Sequence, residues 1–287
     1  MSTPTTQTQL GFDAYTPTWC PGCGDWAIRI GIKTAFQQLG LDPSSIFMTF
    51  DIGCSGNMND FFNAYAMHTL HGRAIPSAVG MKIANHGLTT IVIGGDGGLY
   101  GEGGNHFLHA CRGNHDITVI AHDNMVYGLT KGQVAPTASK GYKSTSTPSG
   151  IVEQSVNPLA LAITQGATFV AQGFAGDTPG LIEIIKAAVK HKGFSLVNVL
   201  QPCVTFNKVN TYHYYLQHTY KLEKNYDPTN FQSALGKSTE VLEEKFPLGI
   251  IYQTQKKAFH EELPQLSEPL IQKKRFTDID ILLNEFV

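Results

Sequence analysis

The sequence predicts an α/β fold, a mostly parallel sheet with helices on both faces, and three observations carry that prediction. Short β-branched runs recur along the first 200 residues, segments of helical character alternate with them, and one unmistakable crossover helix joins the last two runs. The strand runs, in order, are residues 45–51 (Ser-Ile-Phe-Met-Thr-Phe-Asp), 88–93, 117–121, 167–170 and 194–200. The crossover helix lies in residues 178–193. It has a cap candidate at Thr178, Pro179 in the first turn, basic residues in the last turn and Gly193 at its end. Residues 131–158 are rich in Gly, Ser, Thr, Lys and Pro without periodicity, which predicts a long loop of the kind that forms lids or binding loops. After about residue 215 the composition shifts to Lys, Glu, Gln and Pro, so residues 1–215 are expected to form the main domain. Residues 216–287 are expected to form a C-terminal arm packed on that domain or on a partner.

A chain of 287 residues that is 42% hydrophobic can bury a full core without a partner. Its net charge of −2 and the absence of a Lys/Arg run argue against nucleic-acid binding. The first 18 residues are polar, with no basic start and no apolar stretch, and no apolar run approaches the ~20 residues of a membrane span. A cytoplasmic protein is therefore expected, and its five cysteines are better read as metal ligands, reactive thiols or core thiols than as disulfides.

In open α/β sheets ligands collect beyond the carboxyl ends of the strands, where helix N-termini and loops converge. The unusual residues fall there: Cys54, Asp96, Asn124 and Cys203 each follow a different predicted strand. Asp96, in Gly-Asp-Gly, and Asn124 offer two hard oxygens from neighbouring strand ends, which suits Mg²⁺ held together with substrate phosphates. Either dipeptide alone is an ordinary turn; the pair is the signal. Cys20 and Cys23 come from one Cys-Pro-Gly-Cys turn and, with Cys54 and Cys203, give four thiolates from three segments. Spacing alone leaves tetrahedral zinc and an iron–sulfur cubane equally open, with a redox-active Cys-x-x-Cys and ordinary buried thiols as plainer readings.

The run from Gly95-Asp96-Gly97 to Asn124 resembles the thiamine diphosphate motif. That resemblance implies that Asp96, Asn124 and the carbonyl of Val126 hold the metal, and that Gly97 and Gly98 lie against the diphosphate. Trp19-Cys-Pro-Gly-Cys-Gly24, Gly53-Cys-Ser-Gly56, His68-Thr-Leu-His-Gly-Arg73, Gly95-Asp-Gly97, Gly104-Asn-His-Phe-Leu-His-Ala110 and Tyr127-Gly-Leu-Thr-Lys-Gly-Gln133 follow in order. Together, over roughly residues 12–210, they resemble the β subunit of 2-oxoacid:ferredoxin oxidoreductases. The resemblance implies a 4Fe–4S cluster on Cys20, Cys23, Cys54 and Cys203, and cofactor contacts from Ile52, Gly53, Cys54, Ser55, Gly97, Gly98, Gly128 and Leu129. It also places His71, Arg73, Leu129 and Lys131 at the border of cofactor and substrate. For Lys131 an exposed loop lysine, and for His71 a core histidine, are the structural alternatives.

The implied reaction is oxidative decarboxylation of a 2-oxoacid to acyl-CoA and CO₂, with electrons passing through the cluster to ferredoxin. Thiamine enzymes also draw a carboxylate from a second, related domain, which this chain lacks. An α subunit is therefore expected to complete the site, in a heterodimer or a dimer of heterodimers. Asn57 stands where many relatives carry Lys, which leaves the identity of the 2-oxoacid open. Cys111 has no counterpart in that pattern and reads as a core thiol. Two other readings remain: a non-redox thiamine decarboxylase or synthase with structural zinc, and an iron–sulfur scaffold without catalysis of its own.

Overall fold

The computed structural model describes residues 11–273 and 279–284. The five predicted runs become parallel strands: β1 (Ile46–Phe50), β3 (Thr89–Gly95), β4 (Thr118–Asp123), β7 (Phe169–Phe174) and β8 (Ser195–Leu200), with β2 (Tyr65–His68) beside β1. They lie in one eight-stranded sheet of order β2-β1-β3-β4-β8-β7-β10-β9, where β9 is Thr219–Lys221 and β10 is Phe246–Gln253. A separate hairpin pairs β5 (Val126–Tyr127) with β6 (Gln133–Val134) inside the expected loop region.

Helices cover both faces because the inner strands are apolar on both. Ile91, Ile93, Ile120, Val197 and Val199 pack under α1 (Gly24–Gln38) and α5 (Thr178–Lys190). Their sequence neighbours Val92, Val119, Ala121 and Leu196 pack under α2 (Ala74–Ala84), α3 (Gly104–Gly113) and α4 (Pro158–Thr164). This division follows the period-2 alternation of a strand, and continuous burial on both faces is what parallel sheets require. Cys111 is fully buried in the second cluster, and burial pushes its thiol pKa up.

Three expectations need correction. The strand expected over residues 167–170 runs to Phe174, because Gln172 and Gly173 interrupt its apolar pattern without ending it. Gln172 Nε2 donates to Pro247 O at 3.1 Å, and a Cβ on Gly173 would lie 2.8 Å from Leu181 of the helix above. The cap of α5 is Asp177, whose carboxylate accepts from Gly180 N, rather than Thr178. Residues 216–287 do more than lie on the domain as an arm: β9 and β10 extend its sheet, β10 antiparallel to β7. Pro247 and Gly249 disguise β10 in the sequence, and the ladder accommodates a register shift between Ile250 and Tyr252. Further along, Phe259 N donates to Asn114 O, seating that segment on the end of α3. Residues 274–278 and 285–287 of the expected arm lie outside the described residues.

Candidate functional site

Because β1, β3, β4 and β8 are parallel neighbours, their carboxyl ends open on one edge of the sheet, and four of the residues singled out above follow those ends. Asp96 follows β3 and is 2% exposed; its Oδ2 accepts from Met125 N at 3.0 Å and from the Thr137 hydroxyl at 2.5 Å. The same hydroxyl lies 2.8 Å from Asp123 Oδ1. One hydroxyl hydrogen cannot serve two carboxylates, so the Asp96–Asp123 pair favours sharing a proton or a cation. Burial is the main cause, pushing both carboxyls above the ordinary carboxylate range, and Asp123 adds to the rise at Asp96. A divalent cation would relieve the repulsion between the two acids. Asn124 Oδ1 accepts from Val126 N at 3.1 Å while its Nδ2 donates to Gln201 Oε1 at 2.7 Å, so the oxygen is turned toward the turn that carries Val126. A buried carboxylate, an amide oxygen and a backbone carbonyl are a hard-oxygen set that fits Mg²⁺.

Beside this set is a cavity of about 100 Å³. All eight residues expected to touch the cofactor line it: Ile52, Gly53, Cys54, Ser55, Gly97, Gly98, Gly128 and Leu129; so do Asp96, Asn124, Val126 and His71. The glycines of the Gly-Asp-Gly-Gly turn are required by the protein's own packing. A Cβ on Gly97 would lie 2.2 Å from Tyr127 Cε1, and one on Gly98 would lie 2.4 Å from Asp51 Oδ1. Gly53 answers a different demand, a left-handed φ of 132° that lets the chain turn after β1.

A second cavity, of about 220 Å³, is lined by Cys20, Cys23, Cys54 and Cys203 together with Asn57 and Phe206. Cys20 and Cys23 sit on a tight turn closed by Cys23 N donating to Cys20 O, with Pro21 and a left-handed Gly22 at its centre. Two indoles fix the backbone around the thiols: Trp19 Nε1 donates to Cys54 O at 2.7 Å and Trp26 Nε1 to Cys20 O at 3.2 Å. Burial, then the Asp25 carboxylate, raise the Cys23 thiol pKa; the same causes push Cys54 up to about 12. A metal bound here would supply the positive charge that lets these thiols ionise. Among the described residues no three His, Cys, Asp or Glu side chains converge closely enough to hold one metal ion. The four thiols line one cavity, a donor set that fits a thiolate-held metal centre. The two cavities share a wall made of Cys54, Gly128 and Leu129, and a Cβ on Gly128 would sit 3.6 Å from both the Cys54 and Cys203 sulfurs.

The family described as "Thiamine pyrophosphate enzyme, C-terminal TPP binding domain" matches residues 51–199, and the family of the C-terminal region of the pyruvate ferredoxin oxidoreductase beta subunit matches residues 203–268. The 2-oxoacid:ferredoxin oxidoreductase subunit beta of a Sulfolobus species is 43% identical, covering 95% of this chain and 98% of its own. The chain belongs to the β subunits of 2-oxoacid:ferredoxin oxidoreductases. The subunit of the same name from Saccharolobus solfataricus is 45% identical over 85% of this chain and 84% of its own. The structure of 2-oxoglutarate:ferredoxin oxidoreductase from Magnetococcus marinus, with 2-oxoglutarate, coenzyme A and succinyl-CoA bound, superposes with a TM-score of 0.90 at 35% identity, covering 97% of each chain.

Two of the residues expected at the substrate border of this β subunit, Arg73 and Lys131, do not line either cavity, although their neighbours His71, Leu129 and Thr130 line the first. Arg73 Nη1 donates to Gly72 O and Glu102 O, which ties down the turn before α2. Lys131 is exposed at a left-handed φ of 78° in the turn between β5 and β6. His71 and Leu129 do line the cofactor cavity. His71 Nδ1 lies 2.7 Å from Asp51 Oδ1 and its Nε2 3.4 Å from Glu102 Oε2. Asp51, fully buried, also accepts from Ile52 N and Gly72 N, so one carboxylate joins the end of β1 to the His-Gly-Arg turn. The motifs give no site role to Asp51, Glu102, Thr137, Asp123 or Gln201. Asp51 ends a predicted strand directly before the Ile-Gly-Cys turn, a signal that was available; Thr137 and Gln201 carry none. Among the described residues no helix is long and apolar enough to cross a membrane.

Proposed function

We propose that this β subunit holds Mg²⁺–thiamine diphosphate in the cavity at Asp96 and a 4Fe–4S cluster among its four cysteines, and that it oxidatively decarboxylates a 2-oxoacid to acyl-CoA, delivering electrons to ferredoxin. The observation that carries the proposal is the wall shared by the two cavities: Cys54, Gly128 and Leu129 border both, so a cofactor on one side and a cluster on the other would be neighbours. Thiamine diphosphate supplies the electron sink for decarboxylation when bound. The chain's own part is to hold and orient. Asp96, Asn124 Oδ1 and the Val126 carbonyl take the cation, while His71, held between Asp51 and Glu102, lines the cavity. Leu129 and Ile52 are exposed apolar residues that line the cavity. An α subunit laid over these residues would seal the site and supply the second half that thiamine chemistry needs. Ligand thiols held reduced suit work in the cytoplasm.

Metal analysis of anaerobically purified protein tests the reading. About four irons and four acid-labile sulfides per chain are expected, as a cubane requires. About one zinc without sulfide would leave only the thiamine site and make the electron-transfer role wrong.

A further inference from the structure

Gln201 lies between the two cavities, in the two-residue link from the end of β8 to Cys203. It is 1% exposed, and its backbone N–H donates to Asp123 O at 2.8 Å. Its side chain spans the gap between a proposed cation ligand and a proposed cluster ligand. Oε1 accepts from Asn124 Nδ2 at 2.7 Å; Nε2 lies 3.2 Å from Cys23 Sγ and 3.2 Å from Pro202 O. The orientation of both amides follows from groups that can play only one role. Val126 N–H can only donate, so it faces Asn124 Oδ1 and turns Nδ2 toward Gln201. Pro202 O can only accept, so it faces Gln201 Nε2 and turns Oε1 toward Asn124. Glycine at position 24 makes room for this bridge, since a Cβ there would lie 2.7 Å from Gln201 Cγ.

We propose that Gln201 is a positioning residue shared by the two cofactor sites, holding the Asn124 oxygen toward the cation and donating an N–H to the Cys23 sulfur. The inference rests on the cofactor assignment above and adds a coupling to it. A cation drawing on Asn124 Oδ1 makes Nδ2–H a stronger donor to Gln201, and Gln201 Nε2–H in turn a stronger donor to sulfur, because hydrogen bonds in a chain polarise one another. Donors to cluster sulfurs favour the reduced cluster. Loading the thiamine site therefore favours cluster reduction through this chain, and by linkage a reduced cluster tightens the thiamine site.

The test uses the anaerobic holoenzyme with Gln201→Met, which keeps length and apolar packing but removes both hydrogen bonds. Two quantities that do not depend on turnover are read: the affinity for Mg²⁺–thiamine diphosphate by titration calorimetry, and the cluster reduction potential by EPR-monitored titration with and without the cofactor. The expected results are affinity weaker by on the order of 10- to 100-fold, as for loss of a partner that orients a metal ligand, and a more negative potential. The change of potential on cofactor loading should also be less positive than in the wild type. Gln201→Glu retains an oxygen for Asn124 and removes the N–H to sulfur, so it should recover the affinity while the potential stays low. A Gln201→Met protein with full iron content that keeps either quantity at its wild-type value overturns the shared role. Should that variant fail to assemble, a wild-type potential in Gln201→Glu overturns it. Wild-type protein without iron or without thiamine diphosphate binding overturns the cofactor assignment itself, a different and separately visible failure.

Discussion

Replacing Gly97 with Ala is the sharpest test of how the cofactor cavity is built. The new Cβ would sit 2.2, 2.6 and 2.9 Å from Cε1, Cζ and Cδ1 of Tyr127. Carbon atoms in good contact stand about 3.5–4.0 Å apart, so the ring must withdraw by more than 1 Å (roughly the difference between these distances). Tyr127 cannot do so freely, because its hydroxyl donates to Glu102 at 3.0 Å and its ring forms part of the cavity wall. Overpacking of this kind costs about 1–3 kcal/mol, which in a domain of this size lowers the melting temperature by roughly 2–4 °C per kcal/mol. The displaced ring intrudes on the cavity, so affinity for Mg²⁺–thiamine diphosphate should fall at least tenfold, which corresponds to about 1.4 kcal/mol. Gly104→Ala is the matched control, since nothing lies within 4 Å of a Cβ at the start of α3. It should be neutral or slightly stabilising. Differential scanning fluorimetry and calorimetric titration on Gly97→Ala, Tyr127→Ala and the double variant close a double-mutant cycle, in which removal of the ring should rescue Gly97→Ala. If Gly97→Ala behaves like Gly104→Ala in both measurements, the contact with Tyr127 is not what demands glycine.

The two cofactor sites should separate by mutation: Cys203→Ala should lose iron while keeping Mg²⁺-dependent thiamine diphosphate binding, and Asp96→Ala should do the reverse, with equal iron in wild type and Cys203→Ala refuting the ligand assignment. Burial, then the charge of His260, hold His115 down to about 4, below its ordinary value of about 6.5. The unfolded chain then binds the extra proton between those values, so stability present above pH 6.5 falls as pH drops toward 4; a His115→Gln variant should show a shallower loss of melting temperature across that window. Lys82 is buried and lies 2.9 Å from the buried Asp116 carboxylate, whose other cationic partner is the exposed Lys192 at 3.3 Å. Lys82→Met should cost roughly 3 kcal/mol in urea denaturation, the low end for breaking a buried pair, and a loss below 1 kcal/mol would mean that Lys192 alone neutralises Asp116.

Much of this protein was written locally. Strand runs, the crossover helix and the residues at the strand ends are short-range signals, since alternation and turn chemistry act over a few residues. Cys54, Asp96, Asn124 and Cys203 could thus be assigned to one edge of a parallel sheet before any coordinates. The sequence also carried, in ordered motifs, the family to which the chain belongs. Only the tertiary structure decided which polar groups meet. The Asp96–Thr137–Asp123 cluster joins residues up to 41 positions apart, and the Cys23–Gln201 contact joins residues 178 apart. No local pattern encodes such pairs, because they follow from strand order and helix packing. The same holds for β10, whose Pro and Gly read locally as a loop until the open edge of β7 offers a ladder. Arg73 and Lys131 are likewise placed only by the fold: both are exposed, and Arg73 also reaches the carbonyls of Gly72 and Glu102. Composition and spacing therefore determined the chemistry available to this chain, while long-range packing determined which groups share a cavity and which buried carboxyls face each other.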